Sequence, residues 1–276
     1  MTETQEAPPA NKTAEFVPAK PRGAAKTGFP TDGYWVIAGL PKGGKTSLAT
    51  SIPGAYVLEL EKGGADRLAG WIQDVPDMPT FKAAMKFAIN DPSVKVIVVD
   101  TLDMVLRFIG QEVANKYGLE SMSDKKEGVN GFAVWEELFS RVNAITERFK
   151  ECGKLVLLLC HFKDPRLDNE GKLVITQSID APSSKISSHI CSQADVIGVC
   201  AKKRIGDKSQ YTIKFHGEGI VGAFGSRLPE LEDKTVVLPR TKQWQAIVDL
   251  FNAPVEPTKK SEPVKAAAAK TNGKKS

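Results

Sequence analysis

Cysteine is scarce in this sequence. Four residues in 276, with no C-x-x-C pair among them, argue against a disulfide framework and against a zinc knuckle. Cys152, Cys160 and Cys200 sit in or beside apolar stretches, where a reduced, buried thiol is the expected state. Long apolar runs are missing as well. None approaches the roughly 18 residues that cross a bilayer. The opening "MTETQEAPPANKTAEF" lacks the apolar stretch that directs secretion, so a cytoplasmic protein with no membrane is expected. No segment repeats at a fixed period, which sets solenoids and propellers aside. A basic middle is also lacking. The net charge is +5, but residues 1–28 carry +1 and residues 254–276 carry +4, so the stretch between them is neutral. A uniformly basic nucleic-acid binder is thereby excluded, and any such surface is local or lies in the tail.

Both ends are poor in large apolar residues and rich in Pro, Ala, Lys and Thr. Such segments bury too little surface to offset the entropy of ordering. A disordered N-terminal arm is expected over 1–28 and a disordered basic tail over 254–276, around one core at 29–253. With 41% apolar and 26% charged residues overall, the composition is that of an ordinary globular protein.

Strands and helices alternate through the core. "YWVIAGL" (34–40) reads as a strand entering a glycine-rich turn, and "KTSLATSI" as the helix after it. "AYVLELE" (55–61) is a second strand, and "TFKAAMKFAI" (80–89) has helical spacing. "VKVIVVD" (94–100) is a β-branched run of the kind buried on both faces of a parallel sheet. Two helical patterns follow, 101–118 and 132–152, separated by the polar loop "LESMSDKKEGVNG". The strand "KLVLLLC" (154–160) comes next. "ADVIGVCAKKR" and "SQYTIKFHG" predict a β-hairpin around "IGDKS", and "TKQWQAIVDLFN" a closing helix. The fold expected is α/β, a mostly parallel central sheet with helices on both faces and a C-terminal β-hairpin extension.

"GLPKGGKT" (39–46) is a complete G-x-x-x-x-G-K-[ST] phosphate loop, placed between a strand and a helix as its mechanism requires. Gly39 and Gly44 let the backbone wrap close enough for its N–H groups to face phosphate. Lys45 is suited to the β- and γ-phosphates of ATP and Thr46 to Mg²⁺. Leu40, Pro41, Lys42, Gly43 and Ser47 complete the nucleotide-binding stretch. Asp100 ends the strand "VIVVD" at a position suited to a second metal acid, and Asp103 reads as a residue of a helix N-terminus. Glu59 and Glu61 stand on one apolar strand, where alternation puts them on the same face. Glu61, nearer the end, is the candidate base for an attacking water. The alternative is a solvated pair on an edge strand.

The strand "LVLLLC" runs into His161. A phosphate sensor and a structural histidine are both open readings. A zinc set built from Cys160, His161, His189 and Cys191 is disfavoured, because neighbouring strand residues point to opposite faces.

Taken together, "GLPKGGKTSLATSIP", "VIVVDTLD", "GVNGFAVWEELF", "LLLCHFKD" and "APSSKISSHICSQADVIGVC" resemble the RecA-type branch of P-loop ATPases. More closely, they resemble a phage-encoded group of short RecA-like ATPases, AAA-family nucleotide-binding proteins that include single-strand-annealing recombinases. The resemblance spans roughly 33–250. It implies a RecA-like P-loop NTPase fold, ATP hydrolysis with Mg²⁺, and a catalytic glutamate at Glu61. It also implies a γ-phosphate sensor at His161, which stands where relatives carry glutamine. By the same resemblance the protein acts in DNA recombination as a ring or filament of identical subunits on single-stranded DNA, with replication or recombination proteins as partners. Lys125, Lys126, Lys163, Arg166 and Lys172, with Phe132 and Phe162, lie in stretches that match DNA-contacting loops. Arg227 lies near the trans-acting basic finger of related hexameric motors. The basic pair usual at the end of a RecA hairpin is not clearly matched, since "IKFHGEG" has histidine and glycine there. The alternatives are a nucleotide-gated interaction ATPase that binds no DNA, and a small-molecule kinase.

Overall fold

The computed structural model describes residues 28–163, 166–167, 173–175, 178–216 and 225–252. The two expected arms, apart from Gly28, lie outside the described residues, as do Lys172 and the side chain of Arg166. The chain opens with β1 (Gly33–Gly39), α1 (Lys45–Thr50), β2 (Ala55–Glu59), β3 (Trp71–Asp74), α2 (Met78–Asn90) and β4 (Val96–Asp100). Two helices follow, α3 (Leu102–Lys116) and α4 (Gly131–Glu151), before β5 (Leu155–Cys160). Short strands come next: β6 (Phe162–Lys163), β7 (Arg166–Leu167), β8 (Leu173–Ile175) and β9 (Ser178–Ile179). The rest is α5 (Ser184–Gln193), β10 (Val196–Ile205), β11 (Lys208–Lys214), β12 (Gly225–Ser226), β13 (Thr235–Leu238) and α6 (Gln243–Asn252).

The main sheet runs β13-β11-β10-β1-β5-β4-β2-β3, with β12 pairing the start of β10. From β10 to β3 every pairing is parallel. The hairpin strand β11 and its neighbour β13 add antiparallel pairs at one edge. This is the mostly parallel α/β sheet expected from the sequence, with an antiparallel extension at one edge.

Alternation along the strands divides the core in two. Tyr34, Val36, Ala38, Val99 and Leu158 face α2, α3, α4 and α5, meeting Phe81, Leu106, Leu138 and Ile190. Trp35, Ile37, Val98 and Leu157 face the other way, against Leu48 of α1 and Trp244 and Ile247 of α6. A strand apolar on both faces prints as a continuous apolar run, which is why "VIVVD" and "LVLLLC" carry no polar alternation.

Helix starts are written locally. Asp77 accepts the Thr80 N–H, with Pro79 in the first turn of α2. Asn130 caps α4 through the Phe132 N–H, and Ser183 caps α5 through the Ile186 N–H. The end of α2 is closed from afar: Lys154 Nζ donates to the carbonyls of Ala88, Asp91 and Val94 at 2.7, 2.5 and 2.9 Å. The carbonyls of Ala88 and Asp91 are ones a helix end would otherwise leave to solvent, and that of Val94 belongs to the turn before β4.

The candidate nucleotide site

Register brings the chemistry to one edge. Ala38 of β1 is level with Cys160 of β5, and Asp100 of β4 is level with Leu159 of β5 and Glu59 of β2. Gly39, Asp100, Glu59 and His161 therefore emerge together at the carboxyl ends of parallel strands, where open α/β sheets bind ligands.

The phosphate loop is tight because β10 leaves it no room. A Cβ on Gly39 would come within 2.6 Å of the Cys200 carbonyl oxygen, and one on Gly44 within 2.9 Å of the Tyr211 ring. Gly44 also has φ +96° and serves as the N-cap of α1 with no side-chain cap, so the first amides of the helix are left for a ligand. Lys45 is 5% exposed. Its Nζ donates to the carbonyls of Gly39 and Leu40 at 2.9 and 3.1 Å, folded back on its own loop.

Thr46 Oγ1 donates to Asp100 Oδ2 at 2.7 Å. Asp100 is 6% exposed, and burial, with help from Glu61 and Glu59, raises its pKa to about 6 against the opposing pull of the Thr46 hydroxyl and Lys45. A buried carboxylate beside a hydroxyl, destabilised in its charged form, is an oxygen donor set suited to a hard divalent cation. Thr46 and Asp100 thus fit Mg²⁺. The peptide bond joining Asp100 to Thr101 is cis.

Glu59 and Glu61 behave differently from a matched pair. β2 ends at Glu59 and lies between β4 and β3, so it is not an edge strand. Glu59 is buried and its Oε1 accepts the Ala65 N–H at 2.6 Å, a structural contact. Glu61, past the strand end, points to the site: Thr101 Oγ1 donates to its Oε1 at 3.2 Å, and His161 Nδ1 lies 3.6 Å from the same oxygen. The expectation that Glu61 lies on the strand itself, and the alternative of a solvated pair on an edge strand, are corrected accordingly.

His161 is held by Asp103, read from the sequence only as a helix-terminal residue. The His161 backbone N–H donates to Asp103 Oδ1 at 3.3 Å, and its Nδ1 meets Oδ2 at 3.2 Å. Two carboxylates around Nδ1 place a proton on that nitrogen, and Nε2 is the ring nitrogen that Asp103 and Glu61 leave unengaged. Glu61, Asp103 and His161 each offer a ligand atom within 4.8 Å of the others, a spacing that a shared water or cation spans. Among the described residues no zinc set forms around Cys160. His161 is engaged by carboxylates, His189 contacts Thr146 and Phe139, and burial pushes the Cys160 thiol well above its ordinary pKa and Cys191 to about 11.

The remaining candidates scatter. Arg227 lies at the other end of the sheet. Its backbone N–H bonds the Asp195 carbonyl, and its guanidinium donates to the Ser192 carbonyl at 2.6 Å and pairs with Asp195 at 3.6 Å. Asp195 stands one residue before the register partner of Trp35, so Arg227 takes no part in its own chain's phosphate site. Phe162 packs against the helical core rather than standing free, and Lys163 Nζ donates to the Ala181 carbonyl. Phe132, by contrast, is 73% exposed, in the first turn of α4.

A tight glycine loop, a buried lysine, a Thr46–Asp100 pair and a Glu61–His161 edge together define a P-loop ATPase site on a mostly parallel α/β sheet. The family model described as an AAA domain matches residues 34–220, and the chain belongs to that family. No curated protein matches it. Among solved structures, the crystal structure of the flagellar accessory protein FlaH from Methanocaldococcus jannaschii is similar over 76% of this chain and 86% of that one, with 13% identity and a TM-score of 0.37. Among the described residues no helix is long and apolar enough to cross a membrane.

Proposed function

We propose that the protein hydrolyses ATP to act in DNA recombination or single-strand annealing, as an assembly of identical subunits on single-stranded DNA. Lys45 leaves the carbonyls of Gly39 and Leu40 for the β- and γ-phosphates when nucleotide enters. Mg²⁺, held by Thr46 and Asp100, would neutralise developing charge on the phosphates. Glu61 orients the attacking water and accepts its proton. His161, its Nδ1 fixed toward Asp103 and Glu61, presents Nε2 to the terminal phosphate or the water and carries nucleotide state into the loop behind it. Arg227, remote from its own site, reaches a phosphate only across a subunit boundary.

The DNA part of this reading is carried by Phe132, an aromatic ring left 73% exposed directly after a loop holding Lys125 and Lys126. An exposed ring, with a lysine-bearing loop before it in the sequence, offers what a single strand uses, base on ring and phosphate on ammonium. The phage-encoded annealing proteins resembled in sequence favour the same substrate. The test is binding of labelled single-stranded DNA at several salt concentrations. Affinity falling with salt is expected, with a log–log slope smaller by about 1.4 when Lys125 and Lys126 are both changed to Ala. Absence of binding at low salt would overturn the DNA reading in favour of an ATPase gated by protein partners.

A further inference from the structure

The hydrolytic groups crowd one end of the phosphate loop. Thr46 is tied to Asp100 of β4, and Glu61 and His161 extend from β2 and β5, all on the same side of β1. A nucleotide with its terminal phosphate there sends its nucleoside the other way, toward β10 and β11. That flank carries an aromatic ring. Tyr211 of β11 lies against the loop so closely that a Cβ on Gly44 would be 2.9 Å from its Cδ1. In the β10–β11 ladder Tyr211 stands opposite Lys202, which puts both on one face. Cys200 and Ile213, two positions along on each strand, pack on the α1 side of the sheet, so this face is the one that flanks α1. Lys202 Nζ sits 5.5 Å from the Tyr211 ring centroid, and Tyr211 is only half-buried.

We propose that Tyr211 is the nucleoside wall of the site. Its ring stacks on the base of a bound nucleoside triphosphate, and Lys202, which covers the ring through a cation–π contact, swings to the ribose or the α-phosphate when the base arrives. Every base offers a π-face, so such a wall accepts purine and pyrimidine triphosphates alike while adding affinity that phosphates alone do not supply. The proposal rests on the nucleotide reading of the phosphate loop.

The experiment compares equilibrium binding of ATP and of inorganic tripolyphosphate, both with Mg²⁺, to the full chain and its variants. Tyr211→Leu keeps an apolar contact with Gly44 but removes the ring. It is expected to weaken ATP about tenfold and leave tripolyphosphate affinity unchanged, while Tyr211→Phe retains both. Equal loss of the two ligands in Tyr211→Leu would mean that the ring only props the loop, and would overturn the proposal alone. Unchanged ATP affinity in Tyr211→Leu would overturn it too. If wild type binds neither ligand, and Lys45→Ala is no different, the phosphate-loop reading falls and the proposal with it.

Discussion

Asp103 holds His161 at two points, one carboxylate oxygen 3.3 Å from its backbone nitrogen and the other 3.2 Å from ring Nδ1. Position and tautomer are thereby set by a single buried side chain. Asp103→Asn keeps an acceptor for the backbone N–H but lets the amide present its NH₂ to the ring. Turnover should drop on the order of tenfold or more, as for groups that orient a catalytic partner, with nucleotide affinity little altered. Steady-state hydrolysis beside equilibrium ATP binding reads both; equal loss of binding would mean that Asp103 supports the fold rather than the histidine.

Glu61→Gln separates binding from chemistry. The amide preserves size and can still meet Thr101, but it cannot take a proton. Hydrolysis should fall on the order of a hundredfold or more while ATP binding persists. Near-normal turnover would remove Glu61 from the mechanism.

Asp100 gives a pH dependence with a definite sign. Its pKa rises from 3.8 to about 6 through burial, so the folded protein binds this proton more tightly than the unfolded chain does. The stabilisation is complete below about pH 4 and is lost as pH rises through about 6. Magnesium needs the charged form, so Mg²⁺ affinity should fall below about pH 6 as the proton returns. Asp100→Asn should abolish that titration and, without nucleotide, raise the melting temperature at neutral pH. Calorimetry across pH 4 to 8, with and without Mg²⁺, checks both signs.

Lys154 is a test of the fold alone. Three carbonyls, at the end of α2 and in the turn that follows it, share its ammonium, and Lys154→Met leaves them without that donor. A loss of about 2 kcal/mol is expected in chemical denaturation, with the nucleotide site unaffected.

How far the sequence speaks depends on how local each feature is. β4 and β5 are legible because a strand buried on both faces has to be apolar throughout, as in Val96–Val99 and Leu155–Leu159. The phosphate loop is legible because Gly39, Gly44, Lys45 and Thr46 are bound to fixed offsets by one short turn. β3 is not: "WIQD" is short and its residues are largely exposed, so no apolar run marks it, and without it β2 reads as an edge strand. α5 dilutes its apolar face with serines, so its helical period is weak in the sequence. Contacts between distant residues leave no local signature. Asp103 and His161 are 58 positions apart, and Tyr211 meets Gly44 only because the hairpin folds against β1. Arg227 carried a basic residue's signal, but its partners Ser192 and Asp195 lie at the opposite end of the strands from the phosphate loop.

The most direct test of the whole account is steady-state ATP hydrolysis by the purified chain, with and without single-stranded DNA, for wild type, Lys45→Ala and His161→Ala. The account predicts turnover that Lys45→Ala abolishes, that single strands stimulate, and that loses this stimulation in His161→Ala. Full turnover by Lys45→Ala would contradict the site, and turnover indifferent to DNA would contradict the proposed work on single strands.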